Sequence, residues 1–475
     1  MNFFNKFNKL GKIKINYKKI FIVIGIILIC VVLVVLNKNK SRAIFKFDGT
    51  GTTINSVVSG EDKLDKSGAN VPVLASNMIP VYYDSTSNVW RKADGENKNV
   101  SYQWYDYNSK TWANAVTVTS TNRDTYLKAS VGTEVSMSDI NTMWVWIPRF
   151  NATGDTTNYN GGTIDAPGAF NITFVDTDTT AHDAFTFGSD QISGFWMGKF
   201  ETTGSVSSTC TSETCDVSTV TILPNSASLI SNSVSSYFYM SRSMEISSNP
   251  YGFDKTVDTT LDTHMLKNNE WGAVAYLTQS IYGRCTSSTS CVEVTENSVG
   301  ESERNEDTSS KLYKNYNISL LATSNCSTSS ISTGACDYVT NVNQSTTGNI
   351  YGVYDMSGGA YEYVMGIYKP STLSEIKDYS GFSSTTSNSQ YDKLPDAKYY
   401  NVYTTESAYT NAGLQHALTE TSGWYGDYSG FVSSSDPWFR RGAGYSGGDG
   451  PGVFAHIFGS GNGDVNFGSR FALVK

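Results

Sequence analysis

The C-terminal region begins with DPWFRRGAGY at residues 436–445 and ends with GSRFALV at residues 468–474. Small and polar residues, chiefly Gly, Ser, Asp and Asn, separate these two arginine-bearing ends. Such residues have low helix and strand propensity, so the segment between the ends keeps its shape only if both ends pack into a core. The pattern therefore predicts a loop-rich surface on anchored strands, which serves either binding or catalysis.

Two earlier segments combine strand patterns with charged residues. FWMGKFETT occupies residues 195–203, and YDMSGGAYEYV occupies residues 354–364. In this order, and followed by the C-terminal arginines, they resemble the motifs F-x-M-x-K-x-E-V-T, Y-D-M-x-G-N-V-W-E-W and R-G-G-S…G-F-R of the formylglycine-generating-enzyme, or sulfatase-modifying-factor, family. The resemblance covers the chain roughly from Met143 to its end. It implies a C-type-lectin-like fold, in which a twisted sheet supports a surface built of loops.

The resemblance implies a calcium site at the middle motif. Family members bind calcium there through one acidic or amide side chain, two backbone carbonyls and a glutamate, and calcium prefers such hard oxygen ligands. The corresponding residues here are Asp355, Gly358, Ala360 and Glu362. The chain departs from the family at Gly359, where an Asn is usual, and at Tyr361 and Tyr363, which replace Trp. The alternative is a structural turn in which Glu362 forms a salt bridge with an arginine such as Arg441.

The family's oxidase chemistry depends on two cysteines in the R-G-G-S segment, whose thiolates bind copper. This chain has no cysteine after Cys336, and the corresponding segment reads YSGGDG at residues 445–450. A site without thiolates does not hold a soft metal, so we expect no copper. The four histidines are isolated in sequence and indicate no triad: His182, His264, His416 and His456. Catalysis is therefore the weaker hypothesis.

A related group, the variable proteins of diversity-generating retroelements, ends with R-G-G…G-V-F…G-F-R. Residues 452–454 read GVF and stand at the same place. In that group, diversified residues lie between the scaffold positions and contact the ligand. The corresponding predicted ligand-binding residues here are Tyr445, Ser446, Asp449, Ala455, His456, Phe458, Ser460, Asn462, Asp464, Asn466 and Ser469. A glycine-rich structural tail explains the same composition, and both interpretations stay open.

An apolar run near the N-terminus predicts a membrane anchor. Residues 20–36 read IFIVIGIILICVVLVVL, which as a helix spans about 25 Å and is long enough for a bilayer core. Six lysines precede this run, and no acidic residue occurs before Asp48. The asymmetry predicts a cytoplasmic tail at residues 1–19, a single-pass anchor at residues 20–36 and an ectodomain outside the cell. A cleaved signal peptide, with residues 41–43 as a weak cleavage site, is the alternative.

The charge of the chain is divided unevenly. Nine of the 35 Lys and Arg residues lie within residues 1–42, whereas all 44 Asp and Glu residues follow, so the rest of the chain has a formal charge of −18. Nucleic acids and anionic lipids are bound by basic patches. The sign therefore argues against a nucleic-acid partner and is compatible with cation binding.

Six cysteines beyond the apolar run fall into three close pairs, each of which encloses a Ser/Thr-rich segment: Cys210/Cys215, Cys285/Cys291 and Cys326/Cys336. Such segments have little apolar surface to bury and gain order from a covalent link. We expect three local disulfides, as the inferred oxidising compartment allows. A zinc site is the alternative, although no histidine stands at a suitable spacing.

The pattern of elements predicts the domain organisation. Residues 37–77 lack periodicity and predict a linker or stalk, and residues 78–135 predict a small antiparallel β module with a core formed by Trp90, Trp104 and Trp112. Residues 136–475 form the predicted C-type-lectin-like domain. Only two good helices are expected, over residues 236–246 and 264–281, among dispersed strands. The fold class predicted is α+β.

The leading hypothesis is a membrane-anchored, extracellular display or adhesion protein of bacterial type. It is not an enzyme, and it binds an extracellular protein or glycan with its C-terminal loops. One alternative is a divergent sulfatase-modifying-factor-type oxidoreductase, which copper uptake and oxidation of a cysteine peptide would reveal. Another is a structural or adhesin subunit of the cell envelope, which self-association would reveal.

Overall fold

β-strands dominate the part of the chain that the structure describes. The structure is a computed structural model that describes residues 63–246, 249–296, 315–317, 338–368, 378–382, 394–403, 415–444 and 450–475, with the backbone alone for residues 227, 315–317 and 378. From Leu64 onward these residues belong to one compact unit. The α-helices among them are α1 (Ser120–Lys128), α2 (Val234–Ser243) and α3 (Asn268–Thr278).

The strands form two larger sheets and several small ones. In chain order they are β1 (Ile79–Asp84), β2 (Val89–Lys92), β3 (Asn114–Val118), β4 (Ile140–Pro148), β5 (Phe150–Thr153), β6 (Asn171–Phe174), β7 (Thr186–Phe187), β8 (Asp190–Gln191), β9 (Gly194–Gly198), β10 (Thr203–Gly204), β11 (Val220–Thr221), β12 (Ser226–Ser228), β13 (Asp262–Met265), β14 (Cys285–Ser287), β15 (Ser290–Cys291), β16 (Asn315–Asn317), β17 (Tyr361–Tyr368), β18 (Asn401–Tyr403), β19 (Trp438–Gly442), β20 (Gly452–Gly459), β21 (Phe467–Ser469) and β22 (Phe471–Val474). Short 3-10 helices lie at Val100–Tyr102, Tyr107–Ser109, Met137–Asp139, Thr156–Gly161, Asp183–Phe185, Val342–Gln344, Asp378–Ser380, Ala397–Tyr399, Thr419–Thr421 and Trp424–Gly426.

The largest sheet has seven antiparallel strands in the order β13-β22-β9-β4-β3-β1-β2. Its central strand β4 (INTMWVWIP) is buried along nearly its whole length, so both faces of the sheet are covered. Trp146 of β4 stands opposite Trp196 of β9, and their ring centroids lie 5.2 Å apart. Packed aromatic side chains of this size supply much of the apolar area that stabilises the fold.

The predicted α+β fold, in which a small separate β module precedes a C-type-lectin-like domain, is wrong. The described chain is mostly sheet with few helices, and strands on both sides of residue 135 share one sheet, because β3 pairs with β4. Trp90, Trp104 and Trp112 are buried as predicted, but in a core that both parts share. Trp104 stacks on Trp196 of β9, with ring centroids 6.3 Å apart.

No helix among the described residues is long and apolar enough to cross a membrane. The predicted anchor at residues 20–36 and the predicted tail at residues 1–19 lie outside those residues.

The end of the predicted stalk packs onto the large sheet. The indole N–H of Trp196 donates to the carbonyl of Val73 at 2.7 Å, and that of Trp146 donates to the carbonyl of Asn70 at 3.1 Å. A buried indole N–H needs an acceptor, and this segment supplies two. Residues 64–77 are thus part of the folded unit, and the rest of the predicted stalk lies outside the described residues.

Both predicted helices exist, but their limits differ. The first spans Val234–Ser243, and the second spans Asn268–Thr278 instead of 264–281. Residues 262–265 are strand β13, because they pair with β22 at the edge of the large sheet. The Glu270 side chain accepts the N–H of Lys267 at 2.8 Å, which begins α3 after that residue.

A second sheet brings two of the motif regions and the closing arginine together. Its order is β18-β17-β19-β20, and β21 also pairs with β17. Glu362 of β17 stands opposite Arg441 of β19 on one side and beside Gly468 of β21 on the other. Strand β22 then joins the large sheet. Arg470, which lies between β21 and β22, therefore connects the two sheets.

Two of the three predicted local disulfides are confirmed. Cys210 bonds to Cys215, and Cys285 bonds to Cys291 in the β14–β15 hairpin. The pair Cys326/Cys336 lies outside the described residues. The prediction holds because each bond closes a short loop whose cysteines cannot move far apart.

Candidate functional site

All three motif segments meet at a buried cluster of carboxyl groups and one arginine. Arg470 donates to both oxygens of Glu362, from Nη2 at 2.6 Å and from Nε at 3.0 Å. The Ala360 N–H donates to Glu201 Oε1 at 2.9 Å, and Ser228 hydrogen bonds to the other oxygen of Glu201. The first motif supplies Glu201, the second supplies Ala360 and Glu362, and the last supplies Arg470.

The charges of this cluster are only partly balanced. Burial, together with the nearby charges of Glu362 and Asp355, raises the pKa of Glu201 well above its ordinary value. A neutral Glu201 leaves the Arg470 guanidinium to compensate Glu362, and Arg470 also donates to the carbonyls of Gly198 and Tyr354, each at 2.9 Å. The cluster is thus a structural tie between the motifs.

The predicted calcium ligands lie at this buried cluster. Asp355, Gly358, Ala360 and Glu362 are all buried. Both oxygens of Glu362 accept hydrogen bonds from Arg470, which gives this carboxylate a structural partner. Among the described residues, no three His, Cys, Asp or Glu side chains are grouped to hold a metal. The geometry favours the structural turn, with Arg470 as the partner of Glu362 rather than Arg441.

Arg441, the second arginine of the FRRG segment, points into the protein. Its Nη2 donates to the Ala417 carbonyl at 2.8 Å, and its guanidinium lies 5.6 Å from the Trp271 ring centroid. Its Nε and Nη1 have no hydrogen-bond partner among the described residues. Burial lowers the pKa of Arg441 to about 10. This arginine supports the sheet from inside and is not available to a ligand at the surface.

A polar network that the sequence analysis missed lies beside Arg441. His416 Nε2 is 2.6 Å from Asp183 Oδ2, and His416 Nδ1 is 3.0 Å from the Tyr403 hydroxyl. Burial raises the pKa of Asp183, but the nearby His416 outweighs it and holds the pKa at about 2. Glu420 accepts the N–H groups of His416, Ala417 and Leu418 and the hydroxyl of Tyr276.

This network is placed to hold segments together and not to react with a substrate. Tyr403 and His416 are buried, and Asp183 is half-buried, with 39% of its side chain exposed. The three residues come from segments far apart in sequence. Neither spacing nor a short motif could have shown that they meet.

Arg440 lies on the opposite side of strand β19 from Arg441, at a partly exposed surface. Because side chains alternate along a strand, Arg440 faces solvent where Arg441 faces the core. Its guanidinium lies 4.0 Å from the Phe467 ring centroid and 4.9 Å from that of Tyr361, and its Nη2 donates to the Phe458 carbonyl at 2.6 Å. We define the C-terminal face by the half-buried residues Arg440, Ile457, Ser460, Asn462, Asp464 and Phe467.

The loop from residue 460 to 466 is fixed to the protein at several points. The Gly461 N–H donates to the Tyr363 hydroxyl at 3.2 Å, and the Gly461 carbonyl accepts from the Val234 N–H at 3.1 Å. The Asp464 carbonyl accepts from the Ser231 N–H at 2.9 Å. Ser460 Oγ donates to Asn462 Oδ1 at 2.6 Å, and the Asn466 N–H donates to Asp464 Oδ1 at 2.9 Å. The loop therefore presents its side chains in a defined arrangement.

The predicted ligand-binding residues separate into several groups. Tyr445, Ser446 and Asp449 lie outside the described residues. Ala455, His456 and Ser469 are buried, which corrects the prediction that they contact a ligand. Four of the predicted residues are half-buried in the fixed loop: Ser460, Asn462, Asp464 and Asn466. Phe458 is 37% exposed. Phe458 pairs with Phe439 of the neighbouring strand and lies on the side of the sheet away from the C-terminal face.

His456 is buried for a clear reason. It stands opposite Arg441 on β20 and faces the same interior space. Burial, together with the Arg441 charge, lowers the pKa of His456 to about 3, so the side chain is neutral. The strand pattern would have assigned it to the core if the strand register had been known.

The sequence analysis also missed several partly exposed residues at the C-terminal face. Arg440, Ile457 and Phe467 were assigned to the anchored ends or passed over, although they form the middle of the C-terminal face. Tyr379 is 64% exposed, and its neighbour Ser380 lies against Gly461 of the loop. An alternation of buried and exposed positions along FRRG was the signal that could have revealed Arg440.

No protein-family model matches this chain, and no curated protein matches it. The resemblance to the formylglycine-generating-enzyme family therefore rests on the three motif segments alone.

Proposed function

We propose that this chain is a non-enzymatic ligand-binding protein related to the formylglycine-generating-enzyme family. The C-terminal face is its binding surface. The family relation is supported by the contacts of Glu201, Ala360, Glu362 and Arg470, which join the three motif segments.

The observation that carries the proposed binding role is the partly exposed Arg440, which packs against two aromatic rings on a fixed sheet. Arginine and aromatic side chains are enriched among the residues that dominate binding energy at interfaces. Ser460, Asn462 and Asp464 next to them supply hydrogen-bonding groups, as the loops of antibody binding sites do. The loop that carries them is held by backbone hydrogen bonds, so little conformational entropy is lost on binding.

The same geometry gives catalysis little support. Apart from the half-buried Arg440, the charged residues of the three motifs are buried, and most of them are used in structural contacts. The sequence places no cysteine in the C-terminal region, where the family's oxidase chemistry needs two. A surface that binds through shape and hydrogen bonds needs neither.

The disulfides support a location outside the reducing cytosol, because such bonds persist in oxidising compartments. We infer that the ligand is an extracellular protein or glycan. The negative charge of the chain beyond residue 42 argues against nucleic acid.

The test is an array of secreted proteins and glycans probed with the full-length chain and with the Arg440→Ala/Asn462→Ala double variant. We expect at least one ligand that the double variant binds ten-fold or more weakly, a loss of about 1.4 kcal/mol or more. The matched control is Asp124→Ala/Lys128→Ala, which removes an exposed ion pair on α1 and should leave binding unchanged. Retention of every ligand by the double variant, with a melting temperature like that of the control, would refute the proposal.

A further inference from the structure

The largest of the openings that the structure describes lies beside the start of α1. The residues that line it are far in sequence from most of the motif cluster. It is a groove of about 640 Å³ lined by residues that include Asn77, Ser120, Arg123, Ser218, Asn249 and Asp254. It continues into a recess of about 230 Å³, because both share Ser218, Asn249 and Pro250. Ligand sites commonly measure about 300 to 1,000 Å³. No residue of the C-terminal face lines the groove.

The walls of the groove are held in place by internal hydrogen bonds. Arg123 Nη2 donates to the Val118 carbonyl at 3.2 Å and to the carbonyl of Pro250. Asn249 Oδ1 accepts the N–H groups of Tyr251 and Gly252, at 2.8 and 3.0 Å. The guanidinium of Arg123 lies directly on Gly252, where a Cβ would come within 2.6 Å of it. A groove built this way needs little rearrangement to accept a ligand.

A disulfide forms the far wall. Cys215 lines the recess and is bonded to Cys210. The loop between them is attached to α2, because the Cys210 N–H donates to Ser236 Oγ at 3.1 Å and the Cys215 N–H donates to Ser243 Oγ at 3.0 Å. Oxidation of this pair therefore holds one side of the binding space at a fixed distance from the other.

The chemistry of the lining selects the class of ligand. Arg123 forms no salt bridge among the described residues and is a hydrogen-bond donor at the groove, whereas Asp216 and Asp254 supply acceptors and give the lining a net negative charge. An anionic ligand is thus disfavoured. The aromatic lining residue, Phe253, is buried, so a flat apolar ligand has no exposed ring to stack on.

We propose that this groove binds a neutral oligosaccharide. Each sugar hydroxyl both donates and accepts, which matches a lining of one guanidinium, two carboxylates, serine hydroxyls and amides. The exposed Val257 and the neighbouring Pro250 at the groove offer C–H surface to the apolar side of a sugar ring. The site is separate from the proposed C-terminal binding surface and does not depend on it.

The test is isothermal titration of the full-length chain with maltohexaose, xylohexaose and chitohexaose, and with hexagalacturonate as the anionic counterpart. We expect saturable binding of at least one neutral hexaose with Kd below about 1 mM, and weaker binding of hexagalacturonate. Arg123→Ala should weaken the neutral ligand ten-fold or more. Ser120→Tyr, at an exposed position, should obstruct the groove without touching the core. Lys128→Ala, on the same helix but outside the groove, is the matched control.

The disulfides provide a second arm. Cys210→Ser/Cys215→Ser should weaken the sugar at least five-fold, whereas Cys285→Ser/Cys291→Ser, which removes a bond of similar loop length elsewhere, should not. No saturable binding of any neutral hexaose up to about 10 mM overturns the proposal, as does tighter binding of hexagalacturonate. Binding that survives Arg123→Ala and Ser120→Tyr but is lost on Asn462→Ala would assign the sugar to the C-terminal face and would also overturn it.

Discussion

At the scale of single residues, the motif arginines divide between two roles. Arg470 and Arg441 are buried, one in an ion pair with Glu362 and the other beneath the sheet, while Arg440 reaches solvent. Adjacent positions on a strand face opposite ways, so two arginines next to each other in sequence do different work. A motif that counts arginines cannot assign these roles.

Removal of Arg470 should be among the most destabilising changes in the protein. Arg470→Met leaves Glu362 buried without its counter-charge, close to Glu201 and Asp355, and should lower the free energy of unfolding by about 3–5 kcal/mol. The control is Arg91→Met, which breaks the more exposed pair with Asp84 and should lower the free energy of unfolding much less. Urea denaturation of both variants measures the difference, and equal costs would contradict the structural role of Arg470.

Calcium should not stabilise the protein through the middle motif. A cation that binds only the folded state raises the melting temperature, but here Glu362 is already used by Arg470. We expect the same melting temperature in calcium and in chelator, and the same for Asp355→Asn. A calcium-dependent rise that Asp355→Asn removes would show that the ligands rearrange around the metal.

At the scale of elements, the loop between β20 and β21 depends on one glycine. Gly461 has a φ of +90°, and a Cβ there would lie 2.7 Å from both Ser380 and Trp438 side-chain atoms. Gly426 has a similar φ of +85° but no neighbouring atom within 4 Å. A substitution at Gly426 introduces backbone strain alone, whereas a substitution at Gly461 introduces backbone strain and a steric clash.

Gly461→Ala should therefore destabilise the protein more than Gly426→Ala. The strain of a positive φ in a non-glycine residue costs about 1 kcal/mol or somewhat more, and Gly426→Ala should show only that cost. Gly461→Ala adds a steric clash and should cost about 1–3 kcal/mol beyond it. Thermal unfolding of both variants provides the comparison, and similar losses would mean that Ser380 and Trp438 move aside easily.

At the scale of the whole molecule, buried histidines determine how stability changes with pH. Burial lowers the pKa of His182 to about 4, and burial with the Arg441 charge lowers that of His456 to about 3. Unfolded histidine has a pKa of about 6.5. At pH values between the folded and the unfolded pKa of these histidines, the unfolded chain binds protons that the folded protein does not. Stability from these two residues is thus present above about pH 6.5 and declines as the pH falls toward 4.

The free energy of unfolding should fall by about 1.4 kcal/mol per pH unit for each of these histidines between about pH 6 and 4.5. His456→Gln should remove the contribution of one histidine, about 1.4 kcal/mol per pH unit, from that slope. Urea denaturation at several pH values measures the change. A slope unchanged by His456→Gln would mean that His456 takes up its proton in the folded state.

His264 is the matched control because its shift has the opposite sign. Burial lowers its pKa, but Glu270 and Asp262 outweigh burial and raise it. Its contribution is therefore fully present below about pH 6.5 and is lost as the pH rises through the raised value. His264→Gln should leave the slope between about pH 6 and 4.5 unchanged and should flatten the decline at alkaline pH.

The sequence by itself determined the local features. Cysteines five and six residues apart closed two short loops, and tryptophans in alternating strands were buried. Each of these depends on nearby residues or on burial of large apolar side chains, which local pattern encodes. The limits of α3 and the separate β module were wrong because they depend on pairing between distant strands.

Only the tertiary structure decided which residues reach solvent in the C-terminal region. The register of β19 against β20 places Arg440 and Ile457 outward and Arg441 and His456 inward. A shift of β20 by one residue would exchange the positions of Ile457 and His456. The tertiary structure also pairs Glu362 with Arg470 rather than with Arg441. Strand register is set by contacts between segments far apart in the chain, and composition and spacing do not contain that information.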